Sequence, residues 1–173
     1  MRKVYITGVS GTDKTTIAKE LEKRGFYTIS IDEVENLCSW VHQPTGEKHG
    51  GKDTELTLEF VDEHDWILDT EYLNKLLEKR VDVAFVLGMA VNQKDFLGMF
   101  DKIILLECSP ETFTRRIDER TDNDFGKDPE IRKQIVVRCV TYAKEMLALG
   151  AISVNTEKQL NEVVDEIVSQ SLL

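Results

Sequence analysis

An α/β fold built on an open sheet of parallel strands is what this sequence predicts, and three observations predict it. Short apolar runs alternate with segments of helical periodicity along the whole chain. The first run feeds a glycine loop that opens directly onto a helix. Acidic or glycine residues stand where later runs end, the edge at which open α/β sheets bind ligands.

In order along the chain, Lys3-Val4-Tyr5-Ile6-Thr7 reads as a buried strand. Thr15 onward reads as a helix with Ile17, Ala18 and Leu21 on one face and Gly25 as its stop. Between them, Gly8-Val9-Ser10-Gly11-Thr12-Asp13-Lys14-Thr15 nearly fits the phosphate-binding loop pattern. In that pattern glycines let backbone N–H groups approach phosphates, a lysine reaches the outer phosphates and a hydroxyl residue holds magnesium. One position departs from it: glycine is expected before the lysine, and Asp13 stands there. A carboxylate about 5 Å from a phosphate, at an effective dielectric of about 20, costs roughly 3 kcal/mol. A left-handed backbone would add about 1–2 kcal/mol. The alternative is that Asp13 turns to solvent or pairs with Lys14 when the site is empty.

Composition bounds the function. The 173 residues, 41% hydrophobic, suit one domain over 1–173 with a sizeable core. A net charge of -10 argues against non-specific adhesion to nucleic acid or an anionic membrane, and so for small-molecule partners. Apolar runs such as Val81 to Val91, interrupted by Asp82, fall short of the roughly 20 residues that cross a bilayer. No signal peptide is visible, since Arg2 and Lys3 lead straight into the first strand. Cys38, Cys108 and Cys139 match no zinc or redox spacing, which favours reduced thiols and a cytoplasmic location.

Tyr27-Thr28-Ile29-Ser30-Ile31 reads as a second strand ending on Asp32-Glu33. Asp32, with Glu33 as its weaker understudy, either takes a proton from a substrate hydroxyl and helps hold magnesium, or caps a helix through Val34 and Leu37. From Cys38 to Lys52 clustered turn formers suggest a mobile connection, part of a substrate flap over about 33–65. His42 and His49 read as solvated loop residues, not metal ligands. Helical pieces follow at about Glu55 to Glu63 and Asp69 to Arg80, the second with Leu73, Leu76 and Leu77 inward.

Val83-Ala84-Phe85-Val86-Leu87 is the next buried strand, and Gly88 at its end would admit substrate close to the backbone. Asn92 and Gln93 offer hydrogen bonds to substrate or caps for a short helix through Phe96 and Met99. Lys102 to Glu107 is a fourth strand, and Ser109-Pro110-Glu111 is a helix entrance. Arg116 and Arg120, four apart, share one face of that helix. A polar loop over about 121–128 separates it from a long helix, Pro129 to Leu149, bearing Arg132, Lys133, Arg138 and Tyr142. Singly such arginines are solvated side chains; bracketing a polar loop they form cationic jaws of the kind that neutralise a transferring phosphoryl group. Ala151 to Val154 is a fifth strand ended by Asn155-Thr156, and Leu160 to Leu172 a closing amphipathic helix.

Together these residues resemble the P-loop small-molecule kinases of the adenylate kinase and shikimate kinase type, over essentially the whole chain. The resemblance rests on Gly8–Thr15, Asp32, Gly88, Arg116 with Arg120, and Lys127-Asp128, Arg138 and Tyr142. It implies a three-layer α/β/α P-loop NTPase fold, a five-stranded parallel sheet of order 2-3-1-4-5, and a short lid. It also implies ATP and Mg2+ as cofactors, a small-molecule phosphoryl acceptor, and a monomer or homodimer. By the same resemblance Gly8, Ser10, Gly11, Thr12 and Asp13 form the nucleotide loop, and Lys14 binds the β and γ phosphates. Thr15 ligates magnesium and Thr16 lies near the α phosphate. Arg116 lies against the adenine, Arg120 meets the transferring phosphate, and Asn155 and Thr156 sit near the base. Lys127 and Arg138 touch the acceptor side, and Asp32 matches the aspartate that contacts acceptor hydroxyl and metal-bound water. Val34 stands where shikimate kinases carry a second aspartate, which counts against shikimate. For a nucleoside monophosphate pocket Arg80 and Arg132 are the candidates. With Asp13 in the loop, a regulatory nucleotide-binding module or inactive kinase-like protein is the alternative function.

Overall fold

The computed structural model describes residues 1–50, 54, 56–119, 121 and 127–173, with the side chains of Leu58 and Arg138 outside that description. The chain runs through β1 (Arg2–Thr7), α1 (Lys14–Lys23), β2 (Tyr27–Ser30), β3 (Cys38–His42) and β4 (Lys48–His49). There follow α2 (Leu58–Glu63), β5 (His64–Leu68), α3 (Thr70–Leu76), β6 (Val83–Leu87) and β7 (Lys102–Glu107). The last elements are α4 (Pro110–Glu119), α5 (Pro129–Ala148), β8 (Ile152–Asn155) and α6 (Leu160–Leu172).

β2, β6, β1, β7 and β8 form the five-stranded sheet in that order, all pairs parallel. Counted along the chain, these strands stand 2-3-1-4-5, as the resemblance implies. Strand alternation sorts the core into two faces. Val4 and Ile6 of β1 join Phe85 and Ile104 against Ile17, Ala18 and Leu21 of α1 and Val163, Val164 and Ile167 of α6. Tyr5 and Val86 point the other way, onto Leu73, Leu77, Phe96, Tyr142 and Met146. The result is three layers, with α1 and α6 on one side and α3 and α5 on the other. Full burial of each large apolar side chain in these layers contributes about 1.5–3 kcal/mol.

The second sheet is the main correction to the sequence reading. Instead of a loose connection from Cys38 to Lys52, β3 lies between β4 and β5 in a three-stranded antiparallel sheet. Cross-strand pairs Trp40–Trp66 and His42–His64 stabilise it, as aromatic pairs do on one face of such a ladder. Its two ends meet: Cys38 pairs with Leu68, and the Asp69 N–H donates to the Leu37 carbonyl at 2.9 Å. The flanking helices are shorter than the periodicity suggests. α2 starts at Leu58 because Thr57 caps it through the Phe60 N–H, and α3 starts after Asp69, whose side chain accepts from Tyr72 N–H. No helix follows Asp32: Glu33 and Val34 N–H both donate to the Ser30 carbonyl in a tight turn, and Asn36 takes φ 60°. The segment through Phe96 and Met99 forms two short 3-10 turns instead of an α-helix. No helix among the described residues is long and apolar enough to cross a membrane.

Candidate functional site

β1 ends beneath the loop from Gly8 to Asp13, and α1 begins at Lys14. Gly11 has φ 86°, a conformation that glycine adopts without steric penalty. The Lys14 ammonium donates to the carbonyls of Gly8 at 2.6 Å and Val9 at 2.9 Å. Thr12 is buried and its Oγ1 donates to the Val9 carbonyl at 2.8 Å. Loop, lysine and helix start are therefore locked into one turn, with Ser10 within it and the hydroxyl side chains of Thr15 and Thr16 exposed on the first turn of α1.

Asp13 adopts φ 63° and ψ 23°, and its side chain makes no capping bond to α1. Its carboxylate meets the Arg116 guanidinium of α4 at 2.8 Å, so the partner is neither solvent nor Lys14. Arg116 also donates to the Thr156 Oγ1 at 2.8 Å, the Thr156 carbonyl at 2.7 Å and the Gly11 carbonyl at 3.4 Å. The guanidinium that the resemblance sets against an adenine is thus tied on one side to the loop and on the other to the end of β8. Burial pushes the Asp13 carboxyl above its usual range, and Arg116, then Arg115 and Lys14, hold it down by less.

The remaining sequence candidates divide clearly. Asp32 is exposed in the turn after β2 and accepts a hydrogen bond from the Trp66 indole at 2.9 Å; Glu33 is exposed beside it. Gly88 has φ 152°, and a Cβ there would lie 2.1 Å from Ile31 Cγ1, so Ile31 packs directly on the glycine Cα. Asn92 is used by the backbone: its amide donates to the Leu68 carbonyl and accepts from the Leu68 N–H, both at 3.0 Å. Gln93 is buried and accepts from the Tyr142 hydroxyl at 2.8 Å, and that hydroxyl also bonds Thr7. Asn92 thus ties the loop after β6 to β5, and Gln93 joins it through Tyr142 to the end of β1. Burial pushes the Tyr142 phenol up to about 12.

Arg132 pairs with Asp118 of α4 at 2.5 Å and reaches the Lys127 carbonyl at 3.5 Å, which fastens α5 to α4. Asn155 is exposed and accepts from the Glu157 N–H at 2.8 Å, while Thr156 is buried and held by Arg116. Arg120 and most of the lid, 122–126, lie outside the described residues, as does the Arg138 side chain.

Two groupings escape a motif search. His42 and His49, expected in solvated loops, gather with His64 on the small sheet, the three ring centroids 5.0–6.1 Å apart. Even so, no group of three or more His, Cys, Asp or Glu among the described residues is placed to hold a metal. The other is Trp66 against Asp32, whose signal is the period-two alternation Cys38, Trp40, His42 and His64, Trp66, Leu68.

A family model described as AAA domain matches residues 4–137. The chain belongs to the AAA domain family. Among relatives of this AAA domain chain, "Putative adenylate kinase" of Archaeoglobus fulgidus is 24% identical over 170 residues, covering 95% of this chain and 79% of that one. Shikimate kinase from Bacteroides thetaiotaomicron superposes with a TM-score of 0.62 at 15% identity, over 99% of each chain. Deoxyadenosine kinase from M. mycoides with bound dATP superposes with a TM-score of 0.60 at 13% identity, over 100% of each chain. The fold is that of P-loop small-molecule kinases.

Proposed function

We propose that this AAA domain protein is an ATP-dependent phosphotransferase that passes the γ-phosphoryl group to a hydroxyl or phosphate of a small metabolite. Its nucleotide affinity is held down by Asp13. The single observation that carries the reading is the locked turn in which Lys14 folds back onto the Gly8 and Val9 carbonyls at the start of α1. A helix N-terminus opening from a glycine loop, with an ammonium beside it, favours a bound anion. The names of the relatives, a nucleotide kinase, a shikimate kinase and a deoxynucleoside kinase, support the same class.

The donor set suits magnesium. Thr15 and Asp32 offer hard oxygen ligands, and a magnesium held by one or two protein oxygens completes its shell with phosphates and water. Bound there, magnesium would neutralise phosphate charge. Lys14 neutralises the outer phosphates, and Arg116 and Arg120 neutralise the transferring group. Asp32 accepts the proton of the acceptor hydroxyl as its oxygen bonds to phosphorus and the bond to the leaving phosphate oxygen breaks. Lys127 and Arg138 belong to the acceptor side, and Asn155 and Thr156 to the base side, of this reading.

The Asp13–Arg116 ion pair favours a second reading, a kinase-like regulatory or inactive protein, because it places an acid in the loop and occupies an arginine. One experiment separates them: titrate MgATP into the native and Asp13→Gly proteins, then screen transfer to nucleoside monophosphates, nucleosides and hydroxy acids. Transfer by the Asp13→Gly protein supports the kinase. Binding with no transfer to any acceptor supports the second reading, and no binding by either protein refutes both.

A further inference from the structure

One hydroxyl buried behind the phosphate loop joins three elements. Tyr142 of α5 reaches Thr7, the last residue of β1, and Gln93 in the loop after β6. None of the three residues is more than 7% exposed, so the bonds form in a setting where water does not compete for them. The Tyr142 proton goes to Gln93 Oε1 at 2.8 Å, and a phenol has only one to give. Thr7 is therefore the donor in its contact with Tyr142, and the bonds run in one direction, from Thr7 through Tyr142 to Gln93. Burial pushes the Tyr142 phenol up to about 12, so it keeps that proton at neutral pH.

Each end of that chain continues into the candidate site. Thr7 is followed directly by Gly8, whose carbonyl accepts from the Lys14 ammonium at 2.6 Å. Gln93 is preceded by Asn92, which clamps both backbone groups of Leu68, and by Val91, whose N–H donates to the Trp66 carbonyl at 2.9 Å. The large sheet supplies its own ties up to Gly88: the Gly88 N–H donates to the Ile6 carbonyl at 3.1 Å, and the Tyr5 hydroxyl to the Gly88 carbonyl at 2.9 Å. Past Gly88 the connection from β1 to the loop passes through Tyr142, on a helix packed against that face of the sheet.

We propose that Tyr142 is a positioning residue whose hydroxyl holds the end of β1, and with it the phosphate loop, in register with the loop after β6. The consequence for phosphoryl transfer rests on the proposed function; the register itself does not. Transfer needs the reacting atoms held about 3–3.5 Å apart, and a displacement of about 1 Å costs on the order of 100-fold in rate. A hydroxyl bonded to both sides removes that slack without touching either substrate.

The test begins without a ligand. Thr7→Val keeps the shape of the side chain and removes the first donor; it should move the Gln93 side-chain amide signals in the NMR spectrum of the native protein and leave them in place in Tyr142→Phe. A shift that survives undiminished in Tyr142→Phe overturns the proposal. Gln93 signals blind to Thr7→Val overturn it with the tyrosine in place, however Tyr142→Phe folds. In Asp13→Gly protein that transfers phosphate, Tyr142→Phe should lower kcat by about tenfold or more and change KM for MgATP by less than about twofold. Adding Thr7→Val should lower kcat no further, since both substitutions cut one chain. A loss confined to KM for MgATP would place the damage in the loop itself and overturn the proposal. Gln93 signals that follow Thr7 in a protein that transfers to no acceptor sink the kinase reading alone, while signals that ignore Thr7 in an active protein sink this inference alone.

Discussion

Replacing Asp13 by glycine is the sharpest perturbation the structure offers. At an effective dielectric of about 20 a carboxylate about 5 Å from a phosphate charge opposes it by about 3 kcal/mol. Arg116, 2.8 Å from the same carboxylate, returns part of that, but the pairing also withholds the guanidinium from a bound anion. Asp13→Gly removes the repulsion and breaks the ion pair with Arg116, for an expected gain of about 2–3 kcal/mol, or on the order of 30–150-fold in MgATP affinity. The left-handed φ of 63° already exists in the free protein, so its cost falls on folding and not on affinity. Relief of about 1 kcal/mol there is offset by the loss of a part-exposed ion pair and the added freedom of glycine, leaving stability within about 1 kcal/mol. Isothermal titration at fixed salt measures the first number and urea unfolding the second. Affinities agreeing within about threefold would refute the claim that the Asp13 charge governs the loop.

Because the Asp13 carboxyl is pushed up, the MgATP affinity of the native protein should rise relative to Asp13→Asn as pH falls through that raised midpoint. Folding stability has the same sign: the folded chain holds this proton more tightly, so the contribution of Asp13 improves as pH drops towards its unfolded value of about 3.9, read as the difference in urea midpoint from Asp13→Asn. Lys14→Ala in an Asp13→Gly background should lower turnover by more than about tenfold, since the Gly8 and Val9 carbonyls lose their donor and the phosphates their cation. Gly88→Ala should destabilise by about 2–4 kcal/mol in urea unfolding, because the new methyl lies 2.1 Å from Ile31 Cγ1 at a φ of 152°.

The large sheet was legible because its strands are buried on both faces and read as continuous apolar runs such as Val83 to Leu87, each bounded by turn formers. The phosphate loop was legible because its geometry is local. The small sheet was not: β4 has two residues and β3 and β5 mix polar and aromatic positions, so their pairing is decided by Trp40 meeting Trp66 across 26 positions, which no window of neighbouring residues registers. The same limit covers the partners of Asn92, Gln93 and Arg132, which no neighbouring residue announces. Whether a polar side chain faces a ligand or satisfies a distant backbone group depends on contacts such as Asn92 with Leu68, set only when the chain has folded. Asp13 shows the converse, since its anomaly was plain in the sequence while its partner, 103 positions away, was not.

The small sheet leaves and rejoins the chain at neighbouring points, Cys38 beside Leu68 and Leu37 bonded to Asp69. A segment whose two ends touch can be lengthened, trimmed or exchanged without rerouting anything around it. The small sheet is in that sense a cassette plugged into one socket of the larger one, and it can change in size while the five parallel strands keep their pairing.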